Sequence, residues 1–366
     1  MNIFFDHQAF SLQDYGGITR IFTELVKGLE QKGHTGHLSL LYSNNAYLKE
    51  NAIIPNKLFN KFGHIKRRRI LYAINELYNI YDIRKSSFDI YHPTYYGYDL
   101  IKYAKNKPIV VTFHDLTNEK LAGTFEELRL DKKLLDQKKT IIEKATCIIA
   151  VSENTKKDII EYYQVDPSKI KVVYLGNSFN ADSGNEQAKN SKAYILYVGN
   201  RGLYKNFIPF LKSISSLLIE NDIQLVCAGG KAFTEEERKI IDQFHVKEYL
   251  KQIPVNDTNL AVLYKNALAF VFPSLYEGFG IPILEAFACN CPCILSNTSS
   301  LPEVARDAAI YMDPYDPKSM HDAVMSIVAN TSIRNELTIK GSVRLKSFSW
   351  EKHVSEMIEI YSELSK

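Results

Sequence analysis

The chain has 366 residues, more than one hydrophobic core ordinarily serves, so two domains are expected. A formal net charge of +3 gives no basis for bulk nucleic-acid binding, and no run of about twenty apolar residues offers a membrane span. Five cysteines are present, and the cluster Cys289, Cys291 and Cys293 alternates along the chain, which turns successive side chains to opposite faces; reduced thiols are expected there, not a metal site.

The opening MNIFFDHQAF is too short an apolar run for a signal peptide, so a cytoplasmic protein is expected, with residues 2–5 as a first strand. A polar stretch leads to Tyr15-Gly16-Gly17-Ile18-Thr19-Arg20 and then to a helix with Ile21, Leu25, Val26 and Leu29 on one face and Gly33 as its stop. Adjacent glycines opening a helix let main-chain amides approach a phosphate or sugar, but the three-glycine dinucleotide fingerprint is absent and a tight turn is the alternative. Residues 37–42 give a second strand. Over residues 46–87 basic and apolar side chains interleave, Lys57, Lys61, Lys66, Arg67, Arg68 and Arg69 among Leu58, Phe59, Phe62, Ile65, Ile70 and Leu71. Such a surface suits anionic headgroups, and it is also what the solvated face of an ordinary helix looks like.

Strands at 88–91 and 108–113 end in His92 and His114. Ligands of open α/β sheets bind beyond strand C-terminal ends, and Asp115 is placed to orient the His114 ring; a structural histidine tied to a carbonyl is the alternative. Residues 132–145 read as a helix, 147–151 as a strand, Ser152 to Thr155 as a helix N-cap run and 170–174 as the last strand of this half. Residues 176–192 have almost no apolar side chains and form the linker.

Alternation then resumes. Residues 194–198 are a strand, and the loop that follows carries Gly199, Arg201 and Lys205 ahead of a helix from Phe207, a place where two cations can neutralise a diphosphate, although cations are common in loops. Strands at 223–227 and 250–253, a helix at 259–266 and a strand at 269–272 deliver the chain to FPSLYEGFGIPILEAFA, Phe272 to Ala288. Here Glu277 lies in a loop, Gly278 and Gly280 permit unusual backbone angles, Pro282 suits a first helical turn, and Glu285 follows on the helix. Both carboxylates can therefore face one ligand at a helix start. Strands at 292–296 and 309–312 and helices from Asp316, Ser332 and Trp350 complete the chain.

Arg201 with Lys205, Glu277 with Glu285, Pro282 and the later Leu301-Pro302-Glu303-Val304, joined by Gly16, Gly17 and Phe113-His114-Asp115, make the chain resemble glycosyltransferase family 4, the retaining nucleotide-sugar transferases of GT-B architecture. The resemblance covers nearly the whole chain and is most specific in the second half. It implies an α/β fold of two Rossmann-like β/α/β domains facing each other across a cleft. Residues 1–175 would bind the acceptor and residues 193–346 the donor, with 176–192 as linker and a C-terminal helix, 349–366, packing back on the first domain.

Site roles follow from the same resemblance. Glu285 is expected to take the ribose hydroxyls, and Glu277 the donor sugar, beside the main chain of Gly278, Phe279, Gly280 and Ile281, with Gly199 in the same donor-binding set. Arg201 and Lys205, closely spaced for the family, would hold the diphosphate; Gly16 and Gly17 would approach its distal phosphate, and His114 would lie near the reacting centre. The expected catalytic residues are thus His114, Arg201, Lys205 and Glu277. No metal or other cofactor is required, because a nucleoside diphosphate leaves readily once its charge is compensated. The expected partners are a nucleotide sugar (a mannosyl donor on guanosine first, uridine-linked hexoses next), a lipid-linked or oligosaccharide acceptor of bacterial surface polysaccharide, and the anionic inner face of the cytoplasmic membrane; no nucleic acid is expected. A nucleotide-sugar epimerase, a phosphorylase on the same architecture and a non-catalytic sugar-binding protein are the alternatives.

Overall fold

The computed structural model describes residues 1–53, 55, 68–104, 106–130, 132–177, 179 and 192–366, so residues 57–67 of the basic-apolar stretch and most of the 176–192 linker lie outside the described residues. The chain separates into two compact units, one of Met1–Ala122, Leu128–Gly176 and Trp350–Lys366, the other of Gly123–Glu127 and Asn177–Ser349.

In the first unit, strands β1 (Asn2–Phe5), β2 (Thr35–Leu38) and β3 (Ile90–His92) pair in the order β2-β1-β3, and β4 (Val110–Phe113), β5 (Cys147–Ala150) and β6 (Ile170–Val172) in the order β4-β5-β6. All pairings are parallel, and a parallel bridge between Tyr91 and Ile109 connects the two ladders. Every residue of β3, β4 and β5 is buried, because crossover helices cover both faces of a parallel sheet; that is why these strands read as unbroken apolar runs. The final helix, Trp350–Leu364, packs on the helix Gly17–Gln31 within this unit. Gly28 permits the contact, since a Cβ there would stand 2.4 Å from Val354 Cγ2.

His92 lies inside β3 and is fully buried, its Nδ1 2.6 Å from the Tyr361 hydroxyl and its Nε2 2.9 Å from Thr112 Oγ1, a structural use and not a ligand site. His353 donates from Nδ1 to the Tyr174 carbonyl at 2.9 Å. Burial lowers His92 to about 3 and His114 and His353 to about 4. The unfolded chain takes up these protons below its ordinary imidazole value of 6.5, whereas the folded unit refuses them until pH approaches 4 or 3. The resulting stability is therefore fully present above pH 6.5 and is lost as pH falls through that window, by about 1.4 kcal/mol per pH unit for each histidine. The urea midpoint is expected to drop steeply from pH 6.5 to 4, and His353→Gln to make that slope shallower; an unaltered slope in the variant would contradict the assignment.

The second unit holds one six-stranded parallel sheet of β7 (Tyr194–Val198), β8 (Gln224–Ala228), β9 (Leu250–Ile253), β10 (Ala269–Phe272), β11 (Cys293–Ser296) and β12 (Ala309–Met312), in the order β12-β11-β10-β7-β8-β9. Strand order reverses between β10 and β7. At such a switch point successive crossovers leave toward opposite faces and a crevice opens beyond the strand ends. The loops leaving these two strands, 199–206 and 273–280, are the two that carry the cations and the first carboxylate. The five cysteines are free and buried; burial pushes the Cys289 thiol up to about 12, and no group of metal-ligating side chains occurs among the described residues.

Candidate active site

Loops 199–206 and 273–280 meet through both main chain and side chain. The Leu275 amide donates to the Tyr204 carbonyl at 2.8 Å, and Lys205 Nζ donates to Glu277 Oε1 at 2.6 Å. Both side chains are mostly buried, so this pair is screened less than a surface ion pair. Lys205 also lies over the Tyr204 and Phe272 rings, 5.0 and 5.4 Å from their centroids. The Glu277 backbone is fixed in turn by Ser299 and Ser300: its amide donates to Ser299 Oγ at 3.0 Å and its carbonyl accepts from Ser300 Oγ at 2.9 Å.

Arg201 is buried and largely committed within its own unit. Its Nε donates to Glu237 Oε1 at 2.9 Å, and its Nη2 donates to Glu237 Oε2 at 3.3 Å and to the Lys231 carbonyl at 2.6 Å. The guanidinium stacks over Phe233 at 4.7 Å. Its Nη1 is buried with no partner among the described residues, and a Cβ on Gly230 would come within 3.1 Å of it. A guanidinium held on two nitrogens and unsatisfied on the third is a preset donor for an anion.

The sequence reading passed over the helix that supplies Glu237. Glu235–Gln243 begins with a capping box in which the Glu237 amide donates to Thr234 Oγ1 at 3.1 Å and Glu237 Oε2 accepts from the Thr234 amide at 2.6 Å. The Thr-x-x-Glu spacing marks such a helix start. Nothing local marks the second task, orienting Arg201 from 36 residues away.

Glu285 sits on the buried face of the helix Ile281–Ala288, where the Tyr264 hydroxyl donates to its Oε2 at 3.2 Å. Burial, with the Glu285 charge adding, holds the Tyr264 phenol well above its ordinary range, so it stays a donor at neutral pH. Gly280 caps this helix at φ 97°, and a Cβ there would meet Ile283 Cδ1 at 3.0 Å and Leu301 Cδ2 at 3.1 Å, so both angle and space require glycine. Phe279 is buried against Phe348, and Ile281 and Pro282 open the helix. Gly199 has φ 109° with open space around it, so its requirement is conformational only.

The remaining expected residues belong to the first unit. Gly16 precedes the helix Gly17–Gln31 in extended backbone, and a Cβ there would press on Gln13 Oε1 at 2.5 Å; Gly17 is the first helical residue. His114 follows β4, with both ring nitrogens buried and without a partner among the described residues. The expected orienting role of Asp115 is not met, because Asp115 Oδ1 instead accepts from the Thr117 amide at 2.9 Å and closes the turn. With its imidazole held neutral by burial, His114 can donate from one nitrogen and accept at the other. Also missed from sequence is a buried ion pair in the same unit: Lys138 Nζ donates to Glu119 Oε1 at 2.6 Å, and the Tyr163 hydroxyl donates to that oxygen at 2.8 Å.

Residues 15–177 match the family described as Glycosyltransferase Family 4, and residues 178–344 the one described as Glycosyl transferases group 1. An O-antigen chain mannosyltransferase B of Escherichia coli is 27% identical over 95% of this chain and 96% of its own length. An O-antigen chain mannosyltransferase of Salmonella typhimurium is 31% identical over 59% of this chain and 60% of its own. Among solved structures, a sucrose-phosphate synthase from Thermosynechococcus elongatus superposes with a TM-score of 0.76 at 20% identity, covering 99% of this chain and 98% of that one. The two parallel-sheet units, the switch-point loops and these matches together identify the chain as a glycosyltransferase belonging to family 4, with the GT-B fold.

Proposed function

We propose that the protein is a retaining, metal-independent hexosyltransferase that moves a mannosyl-type unit from a guanosine-diphosphate sugar to a lipid-linked oligosaccharide during bacterial surface-polysaccharide synthesis. The observation that carries the reading is the Lys205–Glu277 contact at the switch point, which sets a cation for the diphosphate beside a carboxylate for the donor sugar, with Arg201 Nη1 as a further anion donor. Two relatives named as O-antigen chain mannosyltransferases support the sugar and the pathway class.

In this reading Arg201 and Lys205 compensate the charge that grows on the leaving diphosphate, which is where fixed donors lower a barrier most. Within the second unit Glu285 holds the ribose, and Gly199, Gly278 and the main chain of Phe279 to Ile281 line the donor; in the first unit Gly16, Gly17 and the neutral imidazole of His114 are the candidate residues for phosphate and sugar. A covalent route needs a carboxylate free to attack the anomeric carbon. Glu277 is held by Lys205, which favours front-face attack with the leaving phosphate accepting the acceptor's proton.

Nucleotide release from a panel of GDP- and UDP-sugars, with and without a lipid-linked acceptor, tests the reading. GDP-mannose is expected to turn over, at the same rate after chelation by EDTA, and the product anomer to match the donor's by NMR. A trapped glycosyl-Glu277 species would overturn the front-face route, and a silent panel would overturn the transferase assignment itself.

A further inference from the structure

The loop 199–206, which carries both cations, is held in a shape that its own sequence does not favour. Gly199, Leu203 and Asn206 all have positive φ, at 109°, 51° and 57°. Glycine adopts such angles freely and asparagine tolerates them, but a leucine does so at a cost, and here its side chain is 41% exposed, so burial does not offset that cost. A conformation of this kind persists only where neighbouring groups impose it. The Leu275 amide on the Tyr204 carbonyl and Glu237 on the Arg201 guanidinium are two of those groups.

A third lies inside the sheet. Tyr197 of β7 is buried, and its hydroxyl donates to the Asn200 carbonyl at 2.8 Å and, more weakly, to the Lys205 carbonyl at 3.4 Å. One phenolic hydrogen thus pins the peptide before Arg201 and the peptide after Lys205 to the strand that the loop leaves. Burial holds this phenol well above its ordinary range, so it stays a donor at neutral pH. The Tyr197 ring meets Phe207 edge-on at 5.3 Å, and Arg201 Cζ lies 5.6 Å from the same Phe207 centroid. Glu237 completes the set with three donors on two oxygens: Oε1 takes Arg201 Nε, and Oε2 takes Arg201 Nη2 and the Thr234 amide. A glutamine there would have to turn its NH2 toward one of them. Tyr194 offers a comparison on the same strand. It is likewise a buried phenol, but its hydroxyl donates at 2.8 Å to the Leu263 carbonyl, on the helix Asp257–Asn266, which carries neither cation.

We infer that Tyr197 and Glu237 are positioning residues that set Arg201 and Lys205 in place before a donor binds. The inference rests on the reading of these two cations as ligands of the leaving diphosphate, and it adds two residues that act through them and not on the substrate. Fixed donors stabilise developing charge without reorganising at the moment of reaction, so a loosened loop raises the barrier more than it weakens ground-state binding. A misplacement of about 1 Å is enough to cost about 100-fold in rate. The alternative is that both side chains serve the fold alone, Tyr197 as a satisfied phenol of the core and Glu237 as the third residue of a capping box. That alternative requires a loss of stability with no loss of kcat in the folded enzyme.

The test is nucleotide release by the full chain at saturating donor, using the panel sugar that turns over fastest, with folded enzyme counted by calorimetric titration with its nucleoside diphosphate. Tyr197→Phe removes one oxygen atom and is expected to lower kcat about 10–100-fold, with donor KM changed less than about threefold. Tyr194→Phe makes the same deletion on the same strand and is expected to lower the thermal midpoint by a similar amount while keeping the parent's kcat. Glu237→Gln is expected to lower kcat about tenfold, whereas Thr234→Ala, which uncaps the same helix, should lower the thermal midpoint and keep kcat. Parental kcat in Tyr197→Phe or in Glu237→Gln would overturn the assignment of that residue. Equal kcat losses in Tyr194→Phe and Tyr197→Phe, or in Thr234→Ala and Glu237→Gln, would return the residue to a purely structural role. Failure of the underlying reading is distinguishable: a parent chain that turns over no donor and binds no nucleoside diphosphate would overturn both, whereas an active parent with an equally active Tyr197→Phe would overturn this inference alone.

Discussion

Lys205→Ala is expected to lower kcat by about 10²–10³-fold with a smaller change in donor KM, the usual cost of removing one donor from developing charge. The structure makes Lys205 the adaptable cation of the site. Arg201 is anchored through Nε and Nη2 to Glu237 and the Lys231 carbonyl, so only Nη1 can turn to a ligand without breaking its support. Lys205 has four carbons of reach and sits 2.6 Å from Glu277, so a bound diphosphate would compete with that carboxylate for its charge. Lys205→Arg is the informative control, because a planar fork cannot reproduce a point charge wedged between the Tyr204 and Phe272 rings. Saturating-donor kinetics by nucleotide release provides the measurement, and a Lys205→Ala enzyme with the parent's kcat would remove Lys205 from the reaction.

Glu285→Ala is expected to raise the donor KM by roughly 10–100-fold while kcat is largely kept, whereas Glu277→Ala is expected to depress kcat. The two carboxylates differ in their surroundings. Glu285 is buried on the helix Ile281–Ala288 under the Tyr264 hydroxyl, which fixes its orientation before a ligand arrives. In the proposed reading Glu285 serves as a ground-state contact to the ribose diol, a task suited to an acceptor-only group. Glu277 shares its oxygen with Lys205, so its removal also releases the cation proposed for the leaving group. Calorimetry with the nucleoside diphosphate alone separates the cases: binding should weaken in Glu285→Ala and hold or tighten in Glu277→Ala, where the carboxylate competing for Lys205 is gone. One shared kinetic signature for both variants would end this division of labour.

Arg201 and Lys205 share one short loop but have different partners: Lys205 is in direct contact with Glu277, and Arg201 is mainly tied to Glu237. The Asp115 assignment failed for a local reason: an aspartate two residues before a free amide closes an Asx turn more readily than it reaches back to its neighbour's ring. His92 shared the strand-end position that made His114 a candidate, and it is consumed by Thr112 and Tyr361. A position at a strand end therefore nominates a residue without saying what it bonds.

What the sequence determined by itself was the alternation of apolar strands with amphipathic helices, hence parallel sheets, and the small-residue loops at strand ends where chemistry was expected. These are short-range properties, carried by side-chain period and by residues such as Gly280 and Pro282 whose backbone preferences act locally. Only the tertiary structure decided which loops meet. Lys205 reaches Glu277 across 72 residues because β10 is placed beside β7, and strand order leaves no periodic trace in the chain. The same holds for Arg201 with Glu237, and for the helix Arg68–Lys85. There Leu71, Asn75, Asn79 and Ile83 are buried while Ile70, Ile74, Leu77 and Tyr81 are exposed, and the hydrogen bonds that Asn75 and Asn79 make to Leu41, Tyr42 and Ser39 fix which side faces in.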